Sequence, residues 1–291
     1  MILTDWQKRE FETLGFLILP QLFSPEELEQ MNQEYERGRL QMTTIGLQPV
    51  GVRRQLNWTN LRPNAPFLSR LPEDDRLSGV AEQLLGPDAF MVHCNSNQLR
   101  GTRTEWHPDA RNPSLRAFKF ALYLQPLRED TGALRVIPGS HLPCFSRALD
   151  KLQLGGANVG EDHSYLDLAG KSVRDIPCHV CITNPGDMIL FDLRLWHASW
   201  GGGIRNLVSS DFHAFPRSAD EHDAELEFRD FHRCSMQTFR SPQPQYGPEW
   251  LENAEGNARR TRWIEILDEL GYLRPLVTGI EYNNALMVGN N

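Results

Sequence analysis

From Ala89 onward the chain runs in short apolar stretches separated by turn residues, with no helical period between them. This narrows its fold more than any other feature. Residues 90–93, 118–124, 134–138, 188–191 and 207–212 are each of strand length and carry aliphatic or aromatic side chains. Turn residues stand between them, as in Pro138-Gly139 and Pro185-Gly186-Asp187. A doubly wound sheet needs a crossover, usually a helix, between successive parallel strands, and no such helices interrupt this series. Short strands joined by turns close instead into a sandwich or jelly roll. The expected fold class is therefore mainly β with flanking helices, the jelly-roll core occupying about residues 89–215.

The flanks read differently. Residues 5–15 have the pattern of a short helix, and Gly15-Phe16-Leu17-Ile18-Leu19-Pro20 is an apolar run of strand length closed by proline. In Ser24-Pro25-Glu26-Glu27-Leu28, Ser24 suits an N-cap, Pro25 the first helical position and Glu27 the reciprocal partner of a capping box, so a helix is expected to run to about residue 39. Residues 41–75 read as loops with one or two short strands, 75–85 as a helix ending before Gly86-Pro87. Residues 257–271 read as an amphipathic helix carrying Trp263, Ile266, Leu267 and Leu270. Residues 143–177 are too long for an ordinary connection and are expected to form a lid over the site, with Arg147, Lys151, His163, Tyr165 and Arg174 as its polar groups. No internal repeat or shift of composition divides the chain. It is read as a single domain over 1–291, with a helical N-terminal region of about 1–88, the core with its insertion at 143–177, and a C-terminal extension of about 216–291.

Composition excludes some partners. A chain of 291 residues can bury roughly three-quarters of its unfolded surface. Its formal charge of -8 argues against nucleic acid and against anionic membrane surfaces, both of which select clustered Lys and Arg. No run reaches the length of a membrane span, and the first residues lack the charged and apolar regions of a signal peptide, so the expected location is the cytoplasm. Of the five cysteines, Cys178 and Cys181 have CxxC spacing. They lie in a strand-like context, however, where positions three apart face opposite ways, and no second pair completes a zinc site. Reduced, structural cysteines are expected.

The chemistry concentrates in Glu105-Trp106-His107-Pro108-Asp109. On an extended strand His107 and Asp109 share a side, and a metal would need one ligand more. His197, in Leu195-Trp196-His197-Ala198-Ser199, is the best candidate. Two histidines and one carboxylate on a triangular face of an octahedral ion leave three positions open, the arrangement of non-haem Fe(II) oxygenases. Arg205 follows just before the apolar Leu207-Val208, and its planar fork matches a carboxylate. A 2-oxo acid co-substrate would chelate the metal at two open positions and place its far carboxylate on Arg205.

Three stretches in order resemble the phytanoyl-CoA dioxygenase family. They are Gly15-Phe16-Leu17-Ile18-Leu19-Pro20 with Ser24-Pro25-Glu26-Glu27-Leu28, then Thr131-Gly132-Ala133-Leu134-Arg135-Val136-Ile137-Pro138-Gly139-Ser140-His141, then Pro185-Gly186-Asp187 through His197-Ala198-Ser199. The resemblance runs from about residue 8 to 212. It implies an Fe(II)- and 2-oxoglutarate-dependent dioxygenase on a double-stranded β-helix, consuming O2 and releasing succinate and CO2. It places His107, Asp109 and His197 on the iron, Arg205 and Ser199 on the distal carboxylate of 2-oxoglutarate, and Asn97, rather than Asn95 or Gln98, against the co-substrate. Arg205 stands a few residues closer to the distal histidine than is usual, so the loop 200–204 is short. Halogenating relatives carry a small residue where Asp109 stands; the carboxylate implies oxygen transfer, with hydroxylation of a small or medium organic metabolite as the expected outcome. Desaturation, epoxidation or cyclisation by the same iron chemistry, and a metal-binding jelly roll without turnover, remain as alternatives.

The other candidates have plainer readings. His141, His93, His179 and His213 are expected to be structural, and His163, His222 and His232 solvated. Gly201-Gly202-Gly203 reads as a turn, because it does not link a strand to a helix as a phosphate loop does. Trp196 and Trp200 suit either a pocket wall or the core. Arg111 and Arg116 are expected at the surface or in salt bridges, with an anionic substrate as the alternative.

Overall fold

Alternating side chains and turn-bounded runs produce two antiparallel sheets facing each other. The structure, a computed structural model, describes residues 2–44, 55–100, 103–152, 154, 158–159, 165–166, 173–238, 244–254 and 256–274. The strands are β1 (Phe16–Leu19), β2 (Gln55–Thr59), β3 (Phe90–Leu99), β4 (Arg103–His107), β5 (Ala117–Tyr123), β6 (Thr131–Val136), β7 (Asn158–Val159), β8 (Tyr165–Leu166), β9 (His179–Cys181), β10 (Met188–Asp192), β11 (His197–Gly201) and β12 (Arg205–His213). The larger sheet has the order β1-β10-β5-β12-β3-β2 and the smaller β4-β11-β6-β9; β7 and β8 form a separate ribbon. From β3 to β12 the core strands visit the two sheets as large, small, large, small, small, large, small, large. That palindrome is a double-stranded β-helix, the jelly roll expected from the sequence.

Period-two alternation sorts the strand residues into two cores. On β5, Phe118, Phe120 and Leu122 point out of the roll, and on β10 so do Met188 and Leu190. These join the large cluster under the helices α1 (Asp5–Leu14), α2 (Pro25–Thr44), α3 (Pro66–Arg70) and α4 (Ser78–Leu85). Ala121, Tyr123, Ile189 and Phe191 point inward and meet Leu134, Val136 and Leu195 inside the roll. The capping box expected at Ser24 forms, with Glu27 as its partner at the start of α2, and a second one, of Thr4 with Gln7, opens α1.

The two ends of the insertion pack outside the roll. Helix α5 (Pro143–Asp150) opens it, and Leu149, Leu154 and Val173 pack with Trp106, Ile137, Trp196 and Ala198 on the outer face of the smaller sheet. Trp196 also donates its indole N–H to Ser146. Its two ends, α5 with Leu154 and the stretch around Val173, thus cover the side of that sheet opposite His107 and His197. Of the polar groups named for a lid, Arg147 lies on α5 beside Cys144, while His163 and the side chain of Tyr165 lie outside the described residues.

Two further helices were not anticipated, α6 (Ala219–Thr238) and α7 (Pro248–Glu252), and α8 (Ala258–Glu269) matches the tail helix. No helix among the described residues is long and apolar enough to cross a membrane. Cys181 lies inside the roll and Cys178 against the outer cluster, on opposite sides of the smaller sheet.

The family-like turns are structural anchors. The Asp187 carboxylate accepts hydrogen bonds from the backbone N–H groups of Gln21 (2.9 Å) and Asn184 (2.8 Å), tying the exit of β1 to the entry of β10. Ser140 accepts from the Trp196 backbone N–H, and the His141 ring from its own Nε2–H donates to the Glu12 carbonyl. Gly201 joins β11 to β12 at a positive φ of 72°, and a Cβ there would fall 2.1 Å from the Asp130 carbonyl oxygen, whereas a Cβ at Gly203 would meet nothing within 4 Å. Gly201→Ala is therefore expected to lower stability by about 1–3 kcal/mol, and Gly203→Ala to leave it nearly unchanged. Urea denaturation of both variants checks this, and equal midpoints would refute it.

Candidate active site

His107 and His197 stand directly opposite each other in the β4–β11 ladder, so both imidazoles project from one face of the smaller sheet into the roll. Their ring centroids are 4.3 Å apart. Asp109 lies in a bend past the end of β4, because Pro108 has no N–H with which to continue the ladder. The Ala110 N–H, donating to the Leu193 carbonyl at 2.8 Å, holds that bend against the turn before β11. Asp109 Oδ1 thereby comes to 3.8 Å from His107 Nε2 and 3.7 Å from His197 Nε2. The donor atoms of all three residues lie within 4.8 Å of one another, and among the described residues no other group of histidine, cysteine and carboxylate ligand atoms converges so closely.

The backbone settles which nitrogen of each ring faces the centre. His107 Nδ1 donates to the Glu105 carbonyl at 2.7 Å and His197 Nδ1 to the Leu195 carbonyl at 2.9 Å. A carbonyl only accepts, so Nδ1 carries the proton and the Nε2 lone pair of the neutral ring is presented toward Asp109. Both histidines make the same bond to the residue two positions before them. The donor set, two imidazole nitrogens and one carboxylate oxygen on one face, fits a divalent iron and leaves the side toward the interior for other ligands.

Lys119, which the sequence reading passed over, stands behind the carboxylate. It projects inward from β5 and donates to Asp109 Oδ2 at 2.6 Å, while its ammonium is 3.8 Å from Asp211 Oδ2 on β12. Asp211 in turn accepts from His93 Nδ1 on β3 at 3.0 Å. Burial opposes ionisation of Asp109, but the Lys119 ammonium beside it holds its carboxyl well below the usual carboxylate range. Burial pulls the Lys119 ammonium the other way, and Asp109 and Asp211 outweigh it, raising its pKa above an ordinary lysine value. Burial raises the pKa of Asp211 and keeps His93 and His232 neutral. His232, expected in solvent, reaches in from α6 and lies over the His93 ring with centroids 3.5 Å apart.

A second cluster sits beside the histidines. Ser199, two residues after His197 on β11, accepts from Arg205 Nη1 at 2.6 Å and from the Thr104 backbone N–H at 3.0 Å. Arg205 is only 2% exposed. Gly132, in the family-like turn, makes its space: a Cβ there would come within 2.5 Å of Arg205 Cδ. Tyr123 projects into the same interior from β5, and its phenol is shifted upward by burial, with the Arg205 charge acting against that shift.

Asn97 also faces inward from β3; its Oδ1 accepts from Gln55 and Asn57, each at 2.6 Å. Of the two alternatives, Asn95 takes a bond from Gln245 at 3.1 Å, and Gln98 lies on the outer face bonded to Asn206 under Tyr35. Arg111 pairs with Asp150 at 3.0 Å and lies over Trp196, and Arg116 donates to the Leu85 carbonyl. Both are engaged by the scaffold, away from the three-residue centre. Trp196 and Trp200 belong to the cluster outside the smaller sheet.

The family model for phytanoyl-CoA dioxygenase (PhyH) matches residues 11–205, well over half of the chain. The chain belongs to the phytanoyl-CoA dioxygenase family. Among curated members, the ectoine dioxygenase of Bordetella bronchiseptica is 33% identical over 156 residues, covering 46% of this chain and 48% of that protein, so the chain spans about half the length of this relative. Two solved structures share the fold of this phytanoyl-CoA dioxygenase family member. HygX from Streptomyces hygroscopicus, with nickel and 2-oxoglutarate bound, is 19% identical with a TM-score of 0.54, over 76% of this chain and 94% of that one. EctD from S. alaskensis, with 2-oxoglutarate and 5-hydroxyectoine, is 22% identical with a TM-score of 0.51, over 73% of this chain and 77% of that one.

Proposed function

We propose that this chain is an Fe(II)- and 2-oxoglutarate-dependent dioxygenase that hydroxylates an unactivated C–H bond of a small or medium organic molecule. The observation that carries the reading is the convergence of His107 Nε2, His197 Nε2 and Asp109 Oδ1, with both rings turned by backbone carbonyls so that their lone pairs face the carboxylate. When bound there, iron would activate O2 at the expense of 2-oxoglutarate, which leaves as succinate and CO2.

The residues have distinct tasks in this reading. His107, Asp109 and His197 hold the metal. Arg205 and Ser199 take the distal carboxylate of 2-oxoglutarate, the guanidinium supplying the charge and the hydroxyl a further donor. Asn97, whose oxygen is already occupied by Gln55 and Asn57, has its amide N–H groups to offer the co-substrate. Apolar side chains around them, Phe191, Leu134 and Ile189 among others, keep water from the reacting atoms.

Residues 1–291 act as one oxygenase domain in this reading, the helical 1–88 and the extension 216–291 framing the core 89–215. The relatives' name, ectoine dioxygenase, suggests a compact polar metabolite as the first substrate to try. The acidic balance of -8 supports a small-molecule enzyme of the cytoplasm rather than one directed to nucleic acid or an anionic membrane. A metal-binding jelly roll without turnover is the second reading, and the buried Arg205–Ser199 pair favours the oxygenase, since a mere metal site has no use for a carboxylate anchor.

The purified protein with Fe(II), ascorbate and 2-oxoglutarate is expected to form succinate in an iron-dependent manner, stimulated by one member of a panel that begins with ectoine. Anaerobic addition of 2-oxoglutarate to the Fe(II) protein is expected to produce a metal-to-ligand charge-transfer band. Absence of both the band and succinate across a broad panel would sink the proposal.

A further inference from the structure

Three charged or polar side chains form a row across the middle of the larger sheet. Lys119 on β5 pairs in register with Asp211 on β12, and Asp211 lies beside His93 on β3, where a bulge follows in β12. All three point into the roll. The row begins at Asp109 Oδ2 and continues through Lys119 Nζ (2.6 Å), Asp211 Oδ2 (3.8 Å) and His93 Nδ1 (3.0 Å) to the His232 ring of α6. Its first link reaches the carboxylate oxygen on the far side from the histidines, since Oδ1 is the atom facing both Nε2 nitrogens.

We propose that Lys119 is a positioning residue for the metal centre, clamping Asp109 Oδ2 so that the carboxylate offers the ion a single oxygen. The inference rests on the reading of His107, Asp109 and His197 as metal ligands. A carboxylate in a bend can rotate about χ2 and present either oxygen or both, and two oxygens on the ion would consume a coordination position that co-substrate or O2 needs. The ammonium removes that freedom. Its charge-assisted bond occupies one oxygen, and the strand pairing of β5 with β10 and β12 fixes the direction from which it comes. Asp211 holds the lysine from the side, and His93, in turn covered by His232 and Phe228, holds Asp211. The clamp is therefore built on three adjacent strands of the rigid sheet, whereas Asp109 itself is on a bend. A lysine suits this task because it neutralises the carboxylate's second oxygen without competing for the ion while it remains protonated.

The test compares wild type with Lys119→Met, which keeps the length and loses the charge, and with Lys119→Arg, which keeps the charge. Co(II) affinity is measured by titrating the ligand-field absorption of the metal-free protein, and the Fe(II)–2-oxoglutarate charge-transfer band is recorded anaerobically. Lys119→Met is expected to bind Co(II) about 10–100-fold more weakly, the range for removal of an outer-shell partner of a metal ligand, and to shift the position of the charge-transfer band. Lys119→Arg is expected to recover most of the affinity. Unchanged affinity and an unchanged band in folded Lys119→Met overturn the proposal, as does a loss in Lys119→Arg as large as in Lys119→Met. Should Lys119→Met not fold by circular dichroism, Asp211→Asn decides: it leaves the ammonium in place without its lateral hold, and is expected to weaken Co(II) severalfold and move the band. A folded Asp211→Asn indistinguishable from wild type then overturns it. If wild type itself binds no Co(II) and gives no band, it is the metal-site reading that has failed.

Discussion

Asp109→Ala is expected to abolish iron-dependent succinate formation and to weaken Co(II) or Fe(II) binding by more than about a hundredfold, beyond the range for losing a mere outer-shell partner. Two effects add. The substitution removes one of three converging donors, leaving a pair of imidazoles. It also strips Lys119 of its partner at 2.6 Å, so that an ammonium whose remaining carboxylate is Asp211 at 3.8 Å faces a divalent cation. In a partly desolvated site like charges repel far more strongly than in water. A directional result follows for the double variant. Lys119→Met should weaken the metal in wild type and strengthen it in the Asp109→Ala background, because the same ammonium is a clamp in one and a competitor in the other. Metal titration of the four proteins measures this coupling. Full succinate formation by Asp109→Ala would remove the residue from the ligand set.

The parts of this molecule that were legible in the sequence are those whose signal is local. The strand runs, the capping box at Ser24 and the turns at Pro138-Gly139 and Pro185-Gly186 each depend on residues within a few positions of one another, and each appears where expected. His107 and His197 were legible because each lies in a distinct short motif, and the ladder then sets them face to face. Asp109 was expected to share a strand with His107; Pro108 ends the strand, and the bend brings the carboxylate to the same centre by another route. Lys119, Asp211 and His93 were not legible as a group. They are far apart in the chain and become neighbours only through the strand order β5-β12-β3, which one sequence does not disclose. A faint signal was available, since a charged residue on the same period-two face as Ala121 and Tyr123 in an apolar run marks a polar spot on a buried face. Helix α6 was missed although Ser218 and Glu221 stand at capping spacing, and the Glu221 N–H does donate to Ser218 Oγ. Its length of charged residues masked Ala224 and Phe228, the apolar face it turns to the core, and with them the entry of His232.

Arg205→Met is expected to raise the dissociation constant of 2-oxoglutarate steeply while leaving Co(II) affinity in the absence of co-substrate close to wild type. The asymmetry comes from the geometry. Arg205 contacts Ser199 Oγ at 2.6 Å and the Gly132 carbonyl at 3.4 Å, and neither atom belongs to His107, Asp109 or His197. The guanidinium is buried, so a carboxylate bound to it would be shielded from water, and truncating one partner of such a pair costs about 2–5 kcal/mol. At 1.4 kcal/mol per decade that corresponds to roughly a 30- to 4000-fold loss in 2-oxoglutarate affinity. Anaerobic titration of the charge-transfer band reads it directly, and at saturating co-substrate the band should keep its position, because the groups on the metal are untouched. Arg205→Lys should recover only part of the loss, since an ammonium supplies the charge without the planar fork. Ser199→Ala should cost less than Arg205→Met, because it removes a neutral hydroxyl and leaves the cation in place. Gly132→Ala provides an independent approach to the same guanidinium: its added Cβ, 2.5 Å from Arg205 Cδ, would have to displace the side chain. It should therefore weaken 2-oxoglutarate without altering any group that touches the metal. An Arg205→Met protein whose 2-oxoglutarate affinity stays within threefold of wild type would place the distal carboxylate elsewhere in the roll.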